Sequence, residues 1–101
     1  MRPKKTRLVR CSSRERCFEP KLNGSRKSNA VVLSLDEFET LRLIDLKNLS
    51  QEQAARRMKV HRSTVSRIIA AGHRKIADAL VNEKTIKVKG GCCRFVKGAK
   101  K

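Results

Sequence analysis

Apolar residues recur at helical spacing in two long stretches of the chain. Over residues 35–47 they predict a first helix, whose buried face is made of Leu35, Phe38, Leu41, Leu43, Ile44 and Leu46. Over residues 62–82 they return every three or four positions and predict a long helix with one apolar stripe, made of Val65, Ile68, Ile69, Gly72, Ile76 and Leu80. The pattern therefore predicts a mainly α fold.

A shorter helix is predicted between these two, over residues 51–58. Ser50 followed three positions later by Gln53 matches the capping box that starts many helices. Ala54, Ala55 and Met58 then give it a small apolar face, and small side chains allow a second helix to cross closely. The short segment 59–61 between the second and third helices predicts a tight turn, so that the two form a helix-turn-helix.

Acidic residues crowd the start of the first helix. Ser34 and Glu37 form a second capping-box pattern, and Asp36 and Glu39 lie where carboxylates favour the helix dipole. Helix capping explains these acids better than a metal or general-acid site does. Asn48 is suited to a left-handed residue at the end of this helix.

The ends of the chain lack helical periodicity. Residues 1–29 contain two prolines and several turn residues, and we expect a basic irregular arm there. Alternation over Thr85–Lys89 predicts a strand, which leaves room for one short β pairing with Val31–Leu33. The expected organisation is a three-helix domain over 30–91, followed by a basic irregular tail over 92–101.

Charge is concentrated at these ends. The chain has 101 residues, with 26 Lys and Arg against 9 Asp and Glu, and a net charge of +17. Such an excess favours a polyanionic partner. Aromatic residues, on which unpaired bases stack, make up only 3% of the chain, which favours duplex over single-stranded targets. Without an apolar run of membrane length or a signal-peptide pattern, we expect a cytoplasmic protein with no membrane partner.

The third helix carries donors on the face opposite its apolar stripe. The N-terminal part of such a helix reads base edges in a major groove. We therefore predict base contacts from His61, Arg62, Ser63, Ser66 and Arg67. Phosphate contacts are predicted from Lys4, Lys5, Gln51, Arg74, Lys75, Lys87 and Lys89.

The stretch Ser50–Leu80 resembles the helix-turn-helix of sigma factor region four. Together with Leu33–Glu39 and Arg2–Lys5 it resembles a family of small, functionally uncharacterised prokaryotic proteins that are predicted to bind DNA. The resemblance covers residues 30–91 well and the N-terminal arm loosely. Most helix-turn-helix proteins have glycine where this chain has Lys59. A side chain there requires a positive φ, at a cost of roughly 1 kcal/mol, or a different turn.

Four cysteines lie outside the helical region, at Cys11, Cys17, Cys92 and Cys93. Four thiolates could bind zinc or an iron–sulfur cluster, but the spacing does not match the usual C-x2-C pairs. We therefore predict no metal and no cofactor, and keep a metal or redox sensor as a minor alternative.

The expected function is sequence-specific binding of double-stranded DNA, in a transcriptional regulator. An RNA-binding or ribosome-associated basic protein is the alternative. An enzyme is not expected, because no catalytic arrangement can be assembled from acids that serve mainly as caps. A homodimer stays open, although the sequence has no heptad seam.

Overall fold

The computed structural model describes residues 7–9, 15–22, 28–91 and 93–95, the last three through their backbone. It confirms the predicted mainly α fold with three helices, α1 to α3. Five short strands, β1 to β5, accompany them. In chain order the elements are β1 Arg7–Val9, β2 Arg16–Phe18, β3 Ala30–Leu33, α1 Leu35–Leu41 with a π-helical continuation Arg42–Leu46, α2 Gln51–Met58, α3 Arg62–Val81, β4 Thr85–Val88 and β5 Cys93–Phe95.

α1 and α2 begin where the sequence predicts, because serine caps fix their starts. Ser34 accepts a hydrogen bond from the Glu37 amide, and the Glu37 side chain accepts one from the Ser34 amide, with an N···O distance of 2.9 Å. Ser50 and Gln53 make the same reciprocal pair at the start of α2. Asn48 has a φ of 61°, which confirms the left-handed residue predicted after the first helix.

The sheet has three strands in the order β2-β4-β3. β3 and β4 are parallel, with Val32 opposite Lys87, and this confirms the predicted short pairing. The three helices connect these strands and return the chain to the same end of the sheet, as a parallel pair requires. β2 pairs with β4 in the antiparallel direction, and β1 and β5 form a separate parallel pair.

The terminal arms are less irregular than predicted. β1 and β2 lie within the first arm, and β5 lies within the predicted tail. Val9 is fully buried and forms one core cluster with Leu33, Leu35 and Val88. Strands of three residues are too short to show a clear alternation in the sequence, so the pattern did not reveal them.

A second core cluster joins α1, α2 and α3. It contains Leu43, Ala54, Ala55, Met58 and Val65. The two alanines confirm the small apolar face predicted for the crossing of α2. Gly72 is buried against α1, where an added Cβ would lie 3.7 Å from the Cβ of Glu37, so this glycine marks a close helix contact.

Two residues predicted in the core are exposed. Leu46 is 71% exposed because α1 ends in a π-helical turn, where the Lys47 amide donates to the Arg42 carbonyl and shifts the last residues off the buried face. Leu80 is also 71% exposed, and Ala79 takes the buried position at 2% exposure. The helical repeat of 3.6 residues brings position 79, not 80, back onto the apolar stripe.

The acids of α1 are used within the fold. Glu39 is buried and paired with Arg42, whose Nε lies 2.8 Å from Oε1 and whose Nη2 lies 3.0 Å from Oε2. Asp36 accepts a hydrogen bond from the Ser34 hydroxyl and lies 3.4 Å from Arg7. Capping accounts for Asp36 and Glu37 as predicted, whereas Glu39 serves as a buried partner for arginine.

Candidate nucleic-acid interface

The turn between α2 and α3 closes with a Schellman motif. Lys59 has φ 58° and ψ 45°, and its amide donates to the Arg56 carbonyl at 3.3 Å. The Val60 amide donates to the Ala55 carbonyl at 3.1 Å, and the Val60 side chain packs against the core cluster that contains Ala55. These are the two hydrogen bonds and the apolar contact of that motif. Lys59 therefore adopts the positive φ that the sequence required, at a position where glycine is usual.

The residues predicted to contact bases lie together at the start of α3. Val65, Ile68 and Ile69 are buried, and the opposite side of the same two turns is open to solvent. The exposed residues there are His61, Arg62, Ser63, Ser66 and Arg67. One helix face thus presents two guanidinium groups and two hydroxyl groups on a rigid support.

The N-terminus of α3 is set up differently from those of α1 and α2. His61 is the N-cap residue and makes no side-chain capping hydrogen bond, and the first turn has no acidic residue. Both other helices have a serine capping box and an acid in the first turn. The positive end of the α3 dipole is therefore not offset by local acids, which favours an approaching anion.

The residues predicted to contact phosphates are more scattered. Arg74 is exposed and lies two turns beyond Arg67 on the same helix face. Gln51 is half-buried at the first position of α2. Lys87 and Lys89 are exposed, but they follow the C-terminal end of α3, a helix of 20 residues that is about 30 Å long. Lys4 and Lys5 lie outside the described residues.

Lys75 is half-exposed and makes two hydrogen bonds within the fold, which compete with its predicted phosphate contact. Its Nζ donates to the Val32 carbonyl at 2.9 Å and to Oε1 of Glu37 at 2.8 Å. Its position in the sequence of α3 could not show this, because the lysine side chain reaches across to β3 and α1. Among the described residues, Arg74, one position earlier, has no such partner.

Three cations on α2 and its turn are not among the predicted contacts. Arg56, Arg57 and Lys59 are exposed. Within the described part of the chain none of the three has an acidic partner, whereas Arg7, Arg42, Lys75 and Lys84 are all paired with carboxylates. The signal available in the sequence was the position of Arg56 and Arg57 on the helix face opposite the buried residues of α2.

An apolar groove of about 450 Å³ lies apart from the exposed face of α3. Phe18, Phe38, Leu46, Ile76 and Ile86 are among the residues that line it. Arg16 covers part of Phe38, with its guanidinium carbon 4.4 Å from the ring centroid. The exposed Leu46 is thus one wall of this groove.

The predictions about the cysteines fall mostly outside the described residues. Cys17 is exposed, Cys93 is described through its backbone, and Cys11 and Cys92 are not described. Among the side chains that are described, no group of three or more His, Cys, Asp or Glu could hold a metal ion. The prediction of no metal at the four cysteines therefore stays a prediction. None of the described helices combines the length and apolarity needed to span a membrane.

Comparison with known proteins places the chain in a family. Residues 1–95 match the model for the protein of unknown function DUF134. The chain belongs to the DUF134 family. This confirms membership of an uncharacterised prokaryotic family, and the family description names no activity for the helix-turn-helix.

The relatives in the family carry the name UPF0251 protein. The one from Prosthecochloris aestuarii is 49% identical over 90 residues, which are 89% of this chain and 58% of that protein. The one from Methanosarcina mazei is 43% identical over 98 residues, which are 97% of this chain and 60% of that protein. The chain thus spans less than two thirds of the length of these relatives. No solved structure matches it with a significant score.

Proposed function

We propose that this DUF134 chain binds double-stranded DNA through α2 and α3 and reads its sequence with the first two turns of α3. The observation that carries the proposal is one exposed helix face, which lies opposite the buried Val65–Ile69 stripe. This face consists of His61, Arg62, Ser63, Ser66 and Arg67. The tight turn between α2 and α3 fixes its position. Arginine at such a position can bond a guanine edge through two donors. A transcriptional regulator is the role that this arrangement fits best.

The distribution of charge supports a polyanionic partner. Within the described residues, the carboxylates of Asp36, Glu37, Glu39 and Asp78 are each paired with a lysine or an arginine. These pairs use four of the nine acids of the chain, so few acids are left to offset the remaining cations. Along α3, Arg67 and Arg74 lie two turns apart on the solvent side and Arg62 lies at the flank of the same face. None of the three has an ion-pair partner among the described residues, so a duplex in contact with this face would meet positive charge at each of them.

The test begins with selection of a preferred duplex from a random library. The parent chain and Arg67→Ala are then titrated on the selected duplex and on a random one, across a salt series. We expect Arg67→Ala to weaken the selected duplex by about 1–3 kcal/mol more than the random one. Lys87→Ala is the control: it should weaken both duplexes equally and lower the salt slope by about 0.9.

Two outcomes would contradict the proposal. If Arg67→Ala lowers the affinity for the selected and the random duplex equally, α3 binds DNA as a general basic surface and does not read its sequence. Structured RNA that competes as well as the selected duplex at physiological salt would favour the RNA-binding alternative, because a recognition helix reads the major groove of B-form DNA and the deep groove of RNA does not admit it.

A further inference from the structure

The outer face of α2 forms a groove of its own. Ala54, Ala55 and Met58 point into the core, and the opposite face of the helix is exposed. An open cavity of about 430 Å³ lies on this outer side, lined by Leu49, Gln53, Arg56, Arg57 and Lys59. A pocket of this size accepts a few side chains of a partner rather than a whole folded element.

The groove is cationic and its charge is not neutralised within the described structure. Three of its five lining residues are Arg56, Arg57 and Lys59, and no acid is among the five. None of the three cations has an ion-pair partner among the described side chains. Two adjacent arginines can each bind a carboxylate through paired donors, which makes the groove complementary to an acidic ligand.

The groove is lined by other side chains than the proposed base-reading face. Its residues belong to α2 and to the segments on either side of that helix, whereas His61, Arg62, Ser63, Ser66 and Arg67 belong to the start of α3. The buried faces of the two helices meet in one cluster through Ala55, Met58 and Val65.

We propose that this groove docks an acidic polypeptide segment that carries an apolar residue beside its carboxylates. Leu49 supplies an apolar, half-buried floor for that residue, and Gln53 supplies a neutral hydrogen-bonding group. None of the lining residues is aromatic, so the groove offers no platform on which an unpaired base could stack. The partner is thus a second protein. The proposal goes beyond the proposed function, because none of the residues that line the groove is among the predicted base or phosphate contacts.

The experiment uses the full chain and a short fluorescein-labelled peptide of glutamates with one central leucine. Fluorescence anisotropy at physiological salt gives the affinity of the peptide for the parent and for two double variants. The first variant combines Arg56→Gln with Arg57→Gln. The control combines Lys87→Gln with Lys89→Gln, which removes the same charge outside the groove. We expect a loss of at least about tenfold in the first double variant and of less than about threefold in the control. Equal losses in the two double variants would overturn the proposal.

Two further measurements locate the peptide without relying on a variant. A photoreactive leucine analogue at the centre of the peptide should cross-link to the segment 49–59, and cross-linking elsewhere would overturn the assignment. The same peptide with glutamine in place of glutamate should fail to bind, and equal binding would show that the groove does not select carboxylates.

The relation to DNA is tested in the same assay. Saturating duplex should leave the peptide bound, because the groove and the base-reading face are made of different side chains. Stoichiometric displacement by duplex would show that nucleic acid occupies the groove instead. If no duplex binds the chain at all, the proposed DNA function fails, while the peptide titrations still decide the present proposal.

Discussion

Oε1 of Glu37 accepts two hydrogen bonds at once, from the Ser34 amide at 2.9 Å and from Lys75 Nζ at 2.8 Å. The first bond caps α1, and the second ties α3 to the start of that helix. α3 is therefore positioned by a lysine that was predicted from the sequence to contact phosphate.

Replacing Lys75 by methionine should lower stability and leave DNA affinity nearly unchanged. We expect a loss of about 1 kcal/mol in urea unfolding, since the pair is partly exposed. Arg74→Met, at the next position, is the matched control and should do the reverse: stability within about 0.5 kcal/mol of the parent, and weaker binding to every duplex. If Lys75→Met weakens all duplexes as much as Arg74→Met does, Lys75 belongs to the interface after all.

Val9 should be as important to stability as a residue of the helical core. It is fully buried, so Val9→Ala should cost about 1–3 kcal/mol in the free energy of unfolding. Val32→Ala is the control, because Val32 also lies in a short strand but is 45% exposed. A smaller loss for Val9→Ala than for Val32→Ala would mean that the first arm does not belong to the folded unit.

Lys59 carries a backbone cost that glycine would remove. Because its φ is 58°, Lys59→Gly should stabilise the chain by about 0.5–1 kcal/mol, measured by urea unfolding. Asn48→Gly, at a residue with φ 61°, should gain less, since asparagine tolerates this conformation better than lysine does. A net loss of stability in Lys59→Gly would show that its side-chain contacts outweigh the strain.

Asp78 should make stability fall in acid. Hydrogen bonds from Lys84 and Asn82 hold the pKa of Asp78 below its usual value of 3.8. Since the folded pKa is lowered, this contribution is present above the unfolded pKa and disappears as the pH falls through the folded one. Between about pH 6 and pH 3, the urea midpoint of Asp78→Asn should therefore fall less than that of the parent.

The helices could be predicted from the sequence, and the tertiary contacts of several side chains could not. Ser34 and Ser50 predict the starts of α1 and α2, because capping is a local interaction between residues three positions apart. A local signal also predicted the left-handed Asn48. Alternation over Thr85–Lys89 predicted a strand that pairs with Val31–Leu33, but it did not predict that the pairing is parallel.

Several contacts that the sequence did not reveal join distant parts of the chain. Lys75 reaches Val32 and Glu37, which lie in two other elements, and Val9 enters the core from a stretch with no periodicity of its own. Leu80 was wrongly predicted to be buried for a different reason: a spacing of three or four residues allows either position 79 or position 80 to follow Ile76 on the apolar stripe. The predicted base and phosphate contacts stay predictions.

The parallel pairing of β3 and β4 also has a consequence for how the chain folds. Ala30 pairs with Thr85. The first residue precedes all three helices in the chain and the second follows them, so β3 and β4 can pair only after the intervening chain has closed into a loop. Loop closure of this kind is an entropic cost that a simple helical bundle avoids, and non-local pairing slows folding. We expect the helices to form early and the pairing of β3 with β4 to be the slow, cooperative step that fixes the native state.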